Sequence, residues 1–285
     1  MKNEFESVFD ITNILVKPTF NTDLVIVVPC YNEAKRLLIN DFKSFLKSTN
    51  NVKIIFCNDG STDNTLQILQ KIKGFYPLKI SIHNLKNNVG KAEAVREGVR
   101  YAYKLNYKFK KIAYLDADLS TSLFECYSLS KKIKNSVVFC FGSRILKIDT
   151  HIKRNAFRFL TGRIIATLIS RQLGLSIYDS QCGCKIFSSE IANILFKEKF
   201  ISKWLFDVEI FHRHIKMVGV EKIKKNTLEI PLKSWIDKDL SKVKFSYFFR
   251  LWLDLYLIRK KYLIKSNTIN QRVFSLANIH KQIND

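Results

Sequence analysis

The sequence predicts an α/β fold, a mostly parallel sheet flanked on both faces by helices. Three observations lead there. Short apolar runs alternate with amphipathic helical patterns through the first half of the chain, and strands joined by crossover helices pair in parallel under a helical cover. Turn or cap residues follow each run. Polar groups gather at the carboxyl ends of three of the runs, where sheets of this kind bind ligands. With 285 residues, 47% of them hydrophobic, the chain can bury the core of one large domain.

The elements follow in order. Leu24 to Val28, Val52 to Cys57, Leu78 to Ile82, Ile112 to Leu115 and Val137 to Phe141 read as strands, being short and rich in β-branched or aromatic residues. Glu33 to Lys47, Asp63 to Ile72 and Lys91 to Leu105 read as helices between them, the second opened by the cap residues of Thr62-Asp63-Asn64. The second half is more helical, with Ile152 to Leu173, Trp204 to Val218 and Phe245 to Ile264. The expected organisation is a sheet domain over 1–230, a basic and apolar helical segment over 231–265, and a polar tail over 266–285.

The most informative strand is Ile112 to Leu115, because Asp116 and Asp118 follow it directly. Alternation along a strand sends both carboxylates the same way, and like charges that close repel. A hard cation such as Mg²⁺ or Mn²⁺, shared with substrate phosphates, resolves the conflict. A solvated turn is the alternative for an isolated Asp-x-Asp. Tyr31-Asn32-Glu33 and Asn58-Asp59-Gly60-Ser61 at two other strand ends favour the site.

Together, Val27-Val28-Pro29-Cys30-Tyr31-Asn32-Glu33, Asn58-Asp59-Gly60-Ser61-Thr62-Asp63, Asn88-Val89-Gly90-Lys91 and Asp116-Ala117-Asp118 resemble the family 2 glycosyltransferases of the GT-A fold. Gly142-Ser143-Arg144, Asp179 to Phe187 and Trp204 to Glu209 look like the dolichyl-phosphate β-glucosyltransferases and related polyprenyl-phosphate enzymes. The resemblance covers roughly residues 23 to 243. It implies a divalent ion on Asp118, with Asp116 towards the ribose or sugar, to stabilise the diphosphate as the anomeric C–O bond breaks. It also implies Asp59 against the N3–H of uracil, and Pro29, Tyr31 and Glu33 as walls for base and ribose. Gly90 allows close backbone approach to the nucleotide, and Lys91 pairs with a phosphate. Ala92 departs from the family pattern, which has a second glycine there.

The acceptor follows from where cations stand. A sugar hydroxyl needs a general base, whereas a phosphate monoester, with a second pKa of about 6, is already nucleophilic and needs positioning. Residues 145 to 171 hold six Lys+Arg against one acid. The resemblance implies that Arg144 and Arg158 hold a lipid phosphate, with Gln181 on the transferred sugar or the bound phosphate. Phe245 to Ile264 is apolar nearly all round, and residues 241 to 265 carry seven basic groups and one acid, which suits an amphipathic interfacial helix; a core helix is the alternative.

The expected activity is therefore inverting, metal-dependent transfer of a hexose, glucose from UDP-glucose, onto a polyprenyl phosphate. The alternative acceptor is a saccharide hydroxyl in surface-polysaccharide synthesis. A net charge of +23 alone would suit a nucleic-acid-binding protein, but no docking motif or base-stacking groove accompanies it, so no nucleic-acid partner is expected. The six cysteines match no zinc ligand spacing and read as reduced thiols. Met1 to Phe20 lacks an apolar leader core, and no run of 18 uncharged apolar residues occurs. A peripheral enzyme on the cytoplasmic face of an anionic membrane is the expected form.

Overall fold

The computed structural model describes residues 22–105, 107–145, 151–153, 156–236 and 250–262, without the side chains of 151–153 and 156–161. The first half runs β1 (Thr22–Cys30), α1 (Ile39–Ser48), β2 (Val52–Asp59), α2 (Thr65–Phe75), β3 (Ile80–Leu85), α3 (Lys91–Lys104), β4 (Phe109–Leu115), α4 (Leu123–Ser130) and β5 (Phe139–Ser143). The second half adds β6 (His151–Lys153), α5 (Ala156–Leu173), β7 (Cys184–Ser188), α6 (Ser189–Leu195), α7 (Phe206–Val218), α8 (Val220–Asn226), β8 (Thr227–Pro231) and β9 (Ser234–Ile236).

Seven strands form one sheet in the order β3-β2-β1-β4-β7-β5-β8, while β6 and β9 pair separately. The strand pairs are parallel except where β7 meets β4 and β5. Strand alternation divides the core cleanly. Val25 and Val27 of β1 face one apolar cluster, with α3, α6 and α7; Leu24, Ile26 and Val28 face the other, with α1, α2 and α4. The chain leaves β1 in both directions, to β2 on one side and β4 on the other. That reversal opens a crevice beyond the carboxyl ends of β1 and β4.

The five strands expected from sequence are present, and so are the helices between them. The first helix begins at Ile39 rather than Glu33. The six intervening residues form a loop instead, because the backbone N–H of Glu33 donates to Thr65 Oγ1 at 2.7 Å and that of Ala34 to Asp63 Oδ2 at 3.2 Å. The boundary expected at 230 falls inside β8. Of the helix expected over 245–264, residues 250–262 are described and helical; 245–249 and 263–264 lie outside the described residues. Its Leu251, Leu255 and Ile258 join the same apolar cluster as α3 and α7. No described helix is long and apolar enough to cross a membrane.

Candidate active site

Three neighbouring strand ends deliver the polar residues singled out in sequence. Past β1, Tyr31 is exposed and Glu33 buried. Asn32 takes a positive φ of 50°, and its loop is stitched to the one past β2: Asn32 N–H donates to Ser61 Oγ at 3.0 Å, and Asn32 Oδ1 accepts from Thr62 N–H at 2.9 Å. Pro29 pairs with Cys57 across the parallel ladder, one residue short of the strand end.

Asp59 closes β2 and is 2% exposed. Its Oδ1 accepts from Val89 N–H at 2.7 Å, and its Oδ2 from Gly90 N–H at 3.0 Å and Asn88 Nδ2 at 3.1 Å. Burial raises its pKa, although these bonds and the Lys203 charge pull the other way. In this arrangement the carboxylate shapes the 88–90 loop. Gly90 stands at φ +93°, a backbone region L side chains avoid, and from there Lys91 enters α3.

Asp116 and Asp118 occupy the turn just past β4 rather than consecutive same-face strand positions. The turn closes with Leu119 N–H donating to Asp116 O at 3.1 Å. Each carboxylate has its own cation. Lys91 Nζ lies 2.7 Å from Asp116 Oδ1, and Arg36 Nη2 lies 3.1 Å from Asp118 Oδ2. Burial alone would lower the Lys91 amine, but Asp116 overrides it and raises the pKa. Asp118 Oδ1 accepts from Ser120 N–H at 3.0 Å. The sequence reading missed Arg36, although its position three residues after Glu33 was a signal: the two form an ion pair of 2.9 Å.

Behind this pair runs β7, antiparallel to β4, with Leu115 opposite Cys184. Gly183 O accepts from Asp116 N–H at 3.1 Å, and a Cβ added to Gly183 would stand 2.0 Å from Asp116 Oδ2. Only hydrogen fits there. Gly183→Ala therefore pushes the Asp116 carboxylate off Lys91, and we expect transfer activity to fall by roughly tenfold to a hundredfold. Circular dichroism and steady-state kinetics on the variant check this; wild-type kcat would show that the position of Asp116 is unimportant. Lys185, the one charged residue within β7, is fully buried. Its Nζ pairs with Asp207 Oδ1 at 2.8 Å and donates to Cys182 O at 2.7 Å, while the Tyr114 hydroxyl donates to the same Asp207 oxygen. A lysine inside an apolar run signals a buried acid partner, which would have pointed to Asp207. Glu209 instead accepts from Ile201 and Ser202 N–H, at 2.7 and 3.0 Å.

Arg144 follows β5 and meets Asp179 edge-on: Nε to Oδ2 at 2.6 Å, Nη2 to Oδ1 at 2.7 Å and the backbone N–H to Oδ2 at 3.0 Å. Burial opposes both charges, but the pairing dominates; Asp179 drops to about 2 and Arg144 rises. Asp116 is close enough to add to the rise at Arg144. Glu229 of β8, another residue missed in sequence, fixes this corner by accepting from Ser143 Oγ at 2.7 Å and from Tyr178 and Asp179 N–H at 2.8 and 2.7 Å. Gln181 Nε2 and Ser180 Oγ are buried without a hydrogen-bond partner among the described residues. Arg158 lies in the first turn of α5, and its side chain is outside the described residues. All six cysteines are free and buried. Burial pushes the Cys182 thiol up to about 12, so it stays protonated at neutral pH. His212 contacts Gln172 and stacks on Tyr262, whereas His214 approaches Asn226, so they form no metal pair.

The described residues contain no group of three or more His, Cys, Asp or Glu placed to hold a metal ion. Two hard carboxylates at one strand end still suit Mg²⁺ or Mn²⁺, which bind through one or two protein carboxylates and fill the remaining positions with substrate phosphate and water. The donor set fits.

Residues 25–196 match the glycosyl transferase family 2 model. A dolichyl-phosphate beta-glucosyltransferase of Saccharomyces cerevisiae is 32% identical over 85% of this chain and 75% of its own length. The corresponding proteins of Trichomonas vaginalis and Homo sapiens are 31% and 29% identical, each over 80% of this chain and over 68% and 77% of theirs. Among solved structures, glucosyl-3-phosphoglycerate synthase from Mycobacterium tuberculosis, bound to Mn²⁺, UDP and glucosyl-3-phosphoglycerate, shares the fold at TM-score 0.59 and 12% identity, over 83% of this chain and 78% of that one. The mannosyltransferase of Pyrobaculum calidifontis, in complex with GDP-Man and Mn²⁺, does so at TM-score 0.53 and 16% identity, over 87% and 65%. With the family 2 match spanning most of the sheet and the acid pair at its crevice, this chain belongs to the family 2 glycosyltransferases, with the GT-A type of fold.

Proposed function

We propose that the protein transfers glucose from UDP-glucose, with inversion, onto a polyprenyl phosphate of the dolichyl type. The observation that carries the reading is the pairing of opposite charge across one crevice. The acid pair Asp116 and Asp118 follows β4, and Arg144 is held by Asp179, at the start of the short segment whose Gly183 carbonyl accepts from Asp116 N–H. An acceptor phosphate oxygen attacks the anomeric carbon, the C–O bond to the diphosphate breaks, and the nucleoside diphosphate leaves. Asp118, with Asp116, would hold Mg²⁺ or Mn²⁺, which neutralises charge growing on the leaving diphosphate. Lys91 supplies a further positive charge on the donor side.

Pro29, Tyr31 and Glu33 frame the base and ribose in this reading. Asp59 acts on uracil from the edge of the loop it shapes, with Gly90 giving the nucleotide room. Arg144 and Arg158 take the acceptor phosphate. The unpartnered amide of Gln181 supports a role on sugar or phosphate, since buried polar groups without a partner call for one. A hydroxyl acceptor would need a general base instead, and the nearby acids Asp207 and Asp179 are both engaged in ion pairs.

The reading places the protein peripherally on the cytoplasmic face of an anionic membrane. Supporting this, the 250–262 helix exposes Trp252, Leu253, Tyr256 and Leu257 beside Arg259 and Lys260, while its opposite face packs on the core. The test is transfer of radiolabelled glucose from UDP-glucose to added polyprenyl phosphate in anionic vesicles. Label should enter an organic-extractable, mild-acid-labile lipid. Label found only in water-soluble saccharide would overturn the acceptor assignment.

A further inference from the structure

Each of the two carboxylates past the end of β4 has a protein cation beside it, which offsets the repulsion between them. The cation on Asp118 is unusual in what else it holds. Arg36 Nη2 reaches Asp118 Oδ2 at 3.1 Å while its Nε stays 2.9 Å from Glu33 Oε2. Its root is fixed, since Arg36 N–H donates to Glu33 O at 2.8 Å and the loop is tied to the β2–α2 loop through Asn32, Glu33 and Ala34.

We infer that Arg36 is a built-in counter-ion for Asp118 that yields its place to a divalent cation when a nucleoside diphosphate arrives, so that cation and nucleotide bind cooperatively. The inference rests on the donor half of the reading above. A divalent ion on Asp118 and a guanidinium on the same carboxylate compete for one oxygen and repel each other. Without a phosphate nearby, a metal ion on Asp118 breaks the bond from Arg36 Nη2 with no anion to replace it, which opposes metal binding. With a diphosphate present, Nη2 turns to a phosphate oxygen, a geometry guanidinium suits, while Glu33 keeps its hold on Nε. Both charges then find partners. Linkage requires the effect to be reciprocal: the nucleotide tightens the metal by the same factor by which the metal tightens the nucleotide.

The test is Mn²⁺ titration of the whole chain, followed by electron paramagnetic resonance of free Mn²⁺, with and without UDP. In the wild type, Mn²⁺ alone should bind weakly and UDP should tighten it markedly. Arg36→Gln should tighten Mn²⁺ alone about tenfold, the size of one charge-assisted hydrogen bond lost to competition, and should shrink the UDP enhancement by a similar factor. Arg36→Lys keeps the charge without the fork, should fall between the two, and carries the test if the glutamine variant does not fold. Lys35→Gln removes the same charge from the neighbouring exposed residue and should leave Mn²⁺ binding unchanged. If the wild type binds Mn²⁺ and UDP but the Arg36 variants match it, or if Lys35→Gln has the same effect, the counter-ion role is wrong and the donor reading stands. A wild-type chain that binds neither Mn²⁺ nor UDP overturns the donor reading and this inference together.

Discussion

Asp118→Asn is expected to lower the turnover of nucleotide-sugar-dependent transfer by roughly a thousandfold, the upper range for removing one electrostatic stabiliser of a developing anion. Asparagine keeps the size of the side chain and an oxygen able to accept from Ser120 N–H, but it removes the negative charge. The fold should tolerate the change, because the Arg36–Asp118 pair is partly exposed and such pairs contribute about 1 kcal/mol or less. Thermal denaturation and kinetics at increasing Mn²⁺ separate the two effects. The expected result is a near-normal melting temperature with turnover that added metal does not restore. Near-normal turnover at ordinary metal concentration would show that Asp118 does not hold the cation.

The second large effect falls on stability. Asp179→Asn removes the buried carboxylate that holds the partly buried Arg144 by three hydrogen bonds, and the cost should approach the lower end of that for breaking a buried pair from one side, about 3 kcal/mol. The wild type should show the same dependence through pH. Asp179 titrates near 2 when folded, below its unfolded value of about 3.9. Its contribution is therefore complete above about pH 4 and disappears as pH falls towards 2, a loss of about 2 kcal/mol. Urea denaturation at neutral pH and at pH 3 checks both statements, with a shallower acid dependence expected in the variant. An unchanged midpoint at neutral pH would mean that Arg144 finds another partner at once. Arg144→Met combined with Asp179→Leu should recover stability without recovering transfer, since a hydrophobic pair can replace a buried ion pair but cannot hold a phosphate.

The first-half strands were legible because each is a short β-branched or aromatic run bounded by turn residues, and the carboxylates at their ends needed nothing more to be placed. Elements fixed by distant partners were harder to read. β7 carries Lys185 amid apolar residues, and its partner Asp207 is 22 positions away on α7. The segment from Glu33 to Leu38 looked helical because the residues that hold it open, Asp63 and Thr65, lie past β2. α4 was missed although Ser122 and Glu125 stand at capping-box spacing; Ser122 Oγ accepts from Glu125 N–H at 3.1 Å. Within the site, sequence identified the acids by their position at strand ends. It singled out Lys91 as a phosphate partner rather than as the counter-ion of Asp116, and it passed over Arg36, whose only local signal was its i,i+3 spacing from Glu33.

The reversal of direction at β7 has a consequence for how such a molecule diversifies. In the function proposed above, the nucleotide side comes from one continuous stretch ending at Asp118, whereas the Arg144 corner comes from later chain on β5, β7 and β8. The two halves join along the β4–β7 ladder, where Asp116 leaves no room for a side chain at Gly183. A hybrid made by exchanging the segment from β5 onwards with that of another family member would keep its donor preference and inherit a new acceptor, provided that a glycine is retained at this junction.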